Sequence, residues 1–198
     1  MTGDNLLFTE SFLKEIGRKN NFLIQPGLEQ NTKISEIYPN SINTFRIATE
    51  FKNNKARVLC ATLRLGINNN QVDNSAQGGI MVQIHINNGA LGDFATNEEC
   101  DVFYKHPNTG FIFKDHKIYD WHKIKKFTEE STEKLPQFTY LGWDIALTKK
   151  GPIAIEANLG FGLDHYQIPI GGLREIFKIE NPDFYWENIK KSKFIKNN

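Results

Sequence analysis

Asp144, Glu156 and Asn158 are the residues of this chain whose types and spacing suit chemistry. Tyr140 to Thr148, the turn Lys149-Lys150-Gly151, and Pro152 to Asn158 read as a hairpin whose three-residue loop puts glycine in the left-handed position. With residues 148 and 152 flanking that loop, Asp144 falls directly opposite Glu156, and Asn158, two residues further on, shares their face. Like charges so placed repel, so either they belong to a solvated strand face or a cation stands between them. Two carboxylates and an amide oxygen, with no histidine or cysteine in the hairpin, are hard-oxygen donors that suit magnesium and disfavour zinc. A bulge at Gly151 would shift the register by one and undo the opposition.

The elements that must position this hairpin can be read outward from it. Phe45 to Phe51, a Lys52-Asn53-Asn54-Lys55 turn and Ala56 to Gly66 make an earlier hairpin, which carries Arg46 and Arg64. A four-residue loop there puts the two arginines on opposite faces of the sheet, and a loop one residue longer or shorter puts them together. Ile80 to Ile86 and Ala90 to Phe94 flank an Asn87-Asn88-Gly89 turn and form a further pair of strands. Glu98 to Tyr119 shows turns, His106-Pro107-Asn108-Thr109-Gly110 the clearest, and reads as a surface excursion. Asp120 is placed to cap an amphipathic helix with Trp121, Ile124 and Phe127 on its apolar stripe, closed by Leu135-Pro136. Residues 5 to 19 suggest a short helix, Phe22-Leu23-Ile24-Gln25 a buried strand stopped by Pro26-Gly27, Leu173 to Ile179 a helical turn or two, and Trp186 to Phe194 a terminal helix. The fold class expected is α+β, an antiparallel sheet covered by a few helices.

Composition narrows the partners. The balance of 24 basic against 23 acidic residues is well mixed, so no broad field draws the chain to nucleic acid or an anionic membrane. No window approaches the roughly 18 apolar residues of a membrane span, and no basic and apolar leader opens the chain, so a cytoplasmic location is expected. Cys60, inside the apolar run Val58-Leu59-Cys60-Ala61, reads as a buried thiol, and no CxxC pairing links it to Cys100. His85, His106, His116, His122 and His165 lack ligand spacing and read as structural or solvated.

Gly142-Trp143-Asp144 followed by Ile155-Glu156-Ala157-Asn158-Leu159-Gly160-Phe161-Gly162 resembles the metal-binding end of ATP-grasp enzymes, where an Asp precedes an E-x-N segment on adjoining strands. Within that superfamily the chain resembles the sugar-transfer-associated group, related to alpha-L-glutamate ligases. The strings Asn43-Thr44-Phe45-Arg46-Ile47, Leu63-Arg64-Leu65-Gly66, Val72-Asp73-Asn74-Ser75-Ala76-Gln77-Gly78-Gly79 and His106 to Gly110 carry this likeness, in the family's order over residues 20 to 170. The resemblance implies the C-terminal lobe of the ATP-grasp fold. It further implies ATP and Mg2+ as cofactors, with Asp144, Glu156 and Asn158 on the metal and Arg46 facing the phosphates or the acyl phosphate. Arg64 joins Arg46 as a catalytic candidate, since a fixed charge with a planar donor fork suits phosphoryl oxygens. Gln25, Leu28 and Glu29 resemble the hinge strand whose backbone meets adenine and whose acid holds ribose hydroxyls. Asn74 beside Gly78-Gly79 either lets backbone approach a phosphate or is a plain turn.

The implied activity is a Mg-ATP-dependent carboxylate-amine, or related, ligation through an acyl phosphate in surface-polysaccharide biosynthesis. Its partners are a small-molecule carboxylate and an amine or sugar-linked acceptor. The family's glycine-rich loop and phosphate-binding lysine lie upstream of the hinge, and the first 20 residues are too few to contain them. Residues 1–42 are therefore expected to be a helix, hinge strand and connection, and residues 43–198 the metal- and nucleotide-binding domain. The chain alone is expected to be a poor ligase that needs a complementary upstream lobe, or a non-catalytic nucleotide-binding remnant. Phe161 also departs from the family, which often has proline before Gly162.

Overall fold

The computed structural model describes residues 27–73 and 78–178. The helix expected over 5 to 19, the strand Phe22 to Gln25 and the helix Trp186 to Phe194 lie outside the described residues. The strands are β1 (Thr44–Lys52), β2 (Lys55–Leu65), β3 (Ile80–Ile84), β4 (Leu91–Thr96), β5 (Val102–Phe103), β6 (Tyr140–Thr148) and β7 (Gly151–Asn158). They form one 7-stranded sheet in the order β5-β4-β3-β2-β1-β6-β7, every pairing antiparallel. Four helices are described: α1 (Thr32–Ser35), α2 (Trp121–Glu133), α3 (Asp164–Ile170) and α4 (Arg174–Phe177). This is the α+β class expected from the sequence.

Strand alternation sorts the side chains into two faces. Phe45, Ile47, Ala61, Leu63, Leu65, Ile80, Val82, Ile84, Trp143, Ile145 and Leu147 bury on one face with Ile34, Ile37 and Tyr38 and with Trp121 and Ile124 of α2. The other face is mixed: Ala48, Leu59 and Cys60 pack under Phe161, Tyr166, Leu173 and Phe177, while Arg46, Arg64 and Asp144 stand beside them. A single apolar face supplies the main core, which leaves the second free to hold charge.

Two bulges decide which charges meet. In the first hairpin Lys52 pairs with Lys55 around Asn53-Asn54, a shorter loop than the sequence suggested. That register alone would set Arg46 and Arg64 on opposite faces. Between Ala48↔Cys60 and Thr49↔Val58 the extra residue Leu59 restores the missing step, so Arg46 pairs with Thr62 and Arg64 joins its face. The last hairpin is corrected in the same way. Thr148 pairs with Gly151 around Lys149-Lys150, so the loop has two residues and not the expected three. Ile155 is the extra residue between Ala154 and Glu156, and its bulge returns Glu156 to its place opposite Asp144.

α2 backs β1 and β6 from the apolar face, burying Trp121, Ile124, Thr128 and Thr132 on one stripe. Asp120 does stand at its N-cap position, but its side chain makes no cap hydrogen bond. Its backbone is left-handed (φ 58°), and its carboxylate accepts from Lys123 Nζ at 2.8 Å instead. Trp143, adjacent to Asp144, turns toward α2 and donates from Nε1 to Thr132 Oγ1 at 2.9 Å and to Thr49 Oγ1 at 3.2 Å. Anchoring Trp143 on one face fixes Asp144 on the other.

The stretch from Glu98 to Tyr119 is more than a surface excursion: it contributes β5 and the buried Phe113 and His106. His106 stacks on Tyr38 with centroids 4.8 Å apart, and its Nε2 lies 2.9 Å from the Gly66 carbonyl. Gly66 has no room for a β-carbon, which would meet Tyr38 Cε1 at 2.8 Å and Ser41 Oγ at 2.9 Å. Burial holds His106 below the ordinary imidazole range, with the Gly66 carbonyl opposing it. The unfolded chain therefore binds more protons than the folded one as pH falls below about 6.5. Stability should be full near pH 7.5 and should decline on acidification, and a His106→Gln chain should lose part of that slope; urea unfolding at pH 7.5 and 5.5 measures both.

Candidate functional site

The second face of the sheet gathers an ionic row. Arg46 on β1 pairs directly with Asp144 on β6, and Asp144 pairs directly with Glu156 on β7. Arg46 Nη1 donates to both Asp144 oxygens, at 3.0 and 2.9 Å, and its Nη2 donates to the Phe161 carbonyl at 3.2 Å. Arg64 Nη2 approaches the same carboxylate at 3.5 Å. The Asp144 side chain is 6% exposed and that of Arg46 11%, so this pairing is largely shielded from water. Glu156 is exposed and Asn158 half-buried. Asn158 pairs with Gly142, and the space a side chain at Gly142 would take is filled by Phe161.

Asp73, not singled out by sequence reasoning, completes the set. It is buried, accepts from the Thr44 backbone N–H at 2.8 Å and from the Thr44 hydroxyl, and lies 3.7 Å from Arg64 Nη2. Burial pushes its carboxyl above the usual range, against the pull of Arg64 and Thr44. An isolated aspartate in a polar string gives no sign of this role; only the pairing of β1 with β2 brings Thr44 and Arg64 together to face it.

Phe161 and Tyr166 close the row from above. The Phe161 ring meets that of Tyr166 edge-on at 6.0 Å. The Tyr166 hydroxyl is fully buried with no hydrogen-bond partner among the described residues, as are Arg46 Nε and Thr62 Oγ1, and burial raises the Tyr166 phenol well above its ordinary value. His165 is held below the imidazole range, first by burial and then by the charge of Arg46. Cys60 is a buried thiol pushed up to about 12 by burial, as its apolar setting suggested, whereas Cys100 is exposed.

A separate cavity of about 410 Å³ lies at the turn between β6 and β7, lined by Gly27, Leu28, Glu29, Thr148, Lys149, Lys150 and Ile153. Leu28 and Glu29 thus share one wall. Glu29 is paired with Lys149 Nζ at 3.0 Å, and that bond lowers its carboxyl below the ordinary range. The wall is tied to the sheet through Asn31 N–H to the Leu147 carbonyl at 2.8 Å and through Lys149 N–H to the Glu29 carbonyl at 3.3 Å. Gln25 and Asn74 lie outside the described residues.

The donor set fits a hard divalent cation. Glu156 has no ion-pair partner among the described residues, Asn158 adds a neutral oxygen on its face, and Asp144 contributes the facing carboxylate. Among the described residues no group of three His, Cys, Asp and Glu side chains is gathered as a metal site. A cation held here would therefore need the amide and oxygens from outside the protein.

An antiparallel α+β lobe thus gathers arginines, carboxylates and an amide on one face of its sheet. The model of the sugar-transfer associated ATP-grasp family matches residues 10–179, and the chain belongs to that family. No curated protein and no solved structure matches it. Family membership supports ATP binding and an ATP-dependent, ligase-like function. No helix among the described residues is long and apolar enough to cross a membrane.

Proposed function

We propose that this chain binds Mg-ATP along the second face of its sheet and supports carboxylate-amine, or related, ligation through an acyl phosphate. The observation that carries the reading is the row Arg46–Asp144–Glu156, three residues directly paired across three strands with Asn158 one step along. Asp144, Glu156 and Asn158 would hold magnesium, which when bound neutralises charge on the ATP phosphates. Leu28 and Glu29 would receive the adenosine in the cavity at the β6–β7 turn; Gln25 and Asn74 are assigned to the nucleotide on the family resemblance alone. Arg46 and Arg64 supply fixed positive charge where the transferred phosphoryl group and the acyl phosphate develop theirs. A substrate carboxylate takes the γ-phosphoryl group and releases ADP; an amine then attacks the acyl carbon, expelling phosphate and giving up a proton. The substrates would be a small-molecule carboxylate and an amine or sugar-linked acceptor, in cytoplasmic surface-polysaccharide synthesis. A complementary lobe would cover the phosphates, and the exposed Ile153, Ile155 and Leu159 beside the donors offer it apolar surface.

A second reading is a nucleotide-binding module without turnover, favoured by one observation: Arg46 and Arg64 already neutralise Asp144. Calorimetric titration with ATP, with and without magnesium, tests the binding common to both readings. Magnesium-dependent binding that is lost in an Asp144→Asn/Glu156→Gln chain is the expected result, and binding indifferent to both would remove the metal assignment. ADP release with candidate acceptors separates the ligase from the silent module.

A further inference from the structure

We infer that Asp73 is the positioning residue of Arg64: it holds the guanidinium on the sheet face and keeps it available when a cation claims Asp144. The inference rests on the proposed metal role of Asp144 for its second half only.

The geometry begins at Thr44. Its backbone N–H and its hydroxyl both donate to Asp73 Oδ2. With its only hydroxyl proton committed to Asp73, Thr44 Oγ1 turns a lone pair outward, and Arg64 Nε donates to it at 2.9 Å. The same guanidinium lies with Nη2 at 3.7 Å from Asp73 Oδ1 and 3.5 Å from Asp144 Oδ2. Arg64 is therefore held twice by Asp73, once through charge and once through the direction imposed on the Thr44 hydroxyl. Asp144 shares its head group.

All three side chains are largely buried: Arg64 is 13% exposed, Asp73 11% and Asp144 6%, so the sharing takes place where screening is weak. A divalent cation drawn to Asp144 repels the guanidinium beside it. Without a second anion, Arg64 must either leave the face or compete with the cation. With Asp73 in place it shifts its weight to the partner it already touches and stays pointed along the row. Among the described residues Asp73 makes no hydrogen bond or ion pair with the Arg46–Asp144–Glu156 row; its bonds run to Thr44 and Arg64, and toward Asp144 it exerts only like-charge repulsion.

Two measurements on the full chain test this separately. The arginine Nε–H resonance of Arg64 should exchange slowly with solvent in the wild type and rapidly in Asp73→Asn, with the backbone amide spectrum retained. Thr44→Val removes the hydroxyl that links Asp73 to Arg64, donor to the one and acceptor for the other, and gives the same outcome should Asp73→Asn fail to fold. Unchanged protection in either folded variant overturns the positioning role whatever the metal does. In the second measurement Mn2+ is titrated by electron paramagnetic resonance in the presence of ATP. Asp73→Asn should weaken Mn2+ binding by about five- to tenfold, the scale of one ordinary hydrogen bond, because Arg64 then leans wholly on Asp144. Equal affinity in wild type and Asp73→Asn overturns the sharing, whereas absence of Mn2+ binding by the wild type brings down the metal reading and leaves the arginine exchange to decide for Asp73.

Discussion

Asp144→Ala should destabilise the folded chain by about 3–5 kcal/mol, whereas Glu156→Gln should change stability by no more than about 0.5 kcal/mol, although both should abolish magnesium-dependent ATP binding. The asymmetry follows from burial. Asp144 accepts both Arg46 contacts and the approach of Arg64 on a shielded face, and its removal leaves two guanidiniums with diminished compensation. Asp73 still faces Arg64, but among the described residues Arg46 keeps only the Phe161 carbonyl, a neutral acceptor. Glu156 stands exposed on the edge strand β7, and no described neighbour depends on its charge. A residue can thus serve the proposed ligand in two ways: Asp144 as part of the fold, Glu156 as a donor alone. Urea unfolding reads the stability difference and calorimetry reads the binding. Equal destabilisation by the two changes would show that the Arg46–Asp144 pair contributes little to the fold. Retained magnesium dependence in Glu156→Gln would remove that residue from the metal set.

The sheet was legible because alternation separates the residues that need an apolar neighbour from those that do not. Phe45, Ile47, Leu63 and Leu65 announce one face, and Arg46 and Asp144 fall on the other by parity alone. The bulges were not legible. Leu59 and Ile155 are ordinary strand residues, and whether a strand admits an extra one depends on twist and on what packs above it. The pairing of Asp144 with Glu156 was anticipated from a three-residue loop and is observed from a two-residue loop with a bulge, two register errors that cancel. The family strings divide in the structure between the ionic face and structural support. Arg46 and Arg64 belong to the ionic face. Asn43 is fully buried, accepts from Ser41 Oγ at 3.0 Å, and donates to the Tyr38 carbonyl at 2.7 Å, while His106 braces Gly66. Spacing could not tell these roles apart, because a polar residue that holds a loop and one that holds a ligand have the same type until burial is known.

Gly142→Ala is the second change expected to have a large effect, and its cause is space, not backbone conformation. A β-carbon at Gly142 would stand 2.1 Å from Phe161 Cβ and 2.5 Å from its Cγ. The nearest obstacle is itself a β-carbon, so no rotation of the ring relieves the clash and the backbone around residue 161 must move. Moving it withdraws the Phe161 carbonyl from Arg46 Nη2 and lifts the ring from its contact with Tyr166. The cost should be about 2–3 kcal/mol, with a further loss of ATP affinity because Arg46 is no longer held in the row. Phe161→Ala should not rescue Gly142→Ala, since its β-carbon remains. Phe161→Gly should: it is itself destabilising by several kcal/mol, about the cost of emptying a buried aromatic site, but Gly142→Ala added to it should cost almost nothing more. A double-mutant cycle from urea unfolding gives the coupling between the two positions. Strict additivity would mean that the 160–162 segment yields freely, and that the hold of Phe161 on Arg46 is not a fixed part of the site.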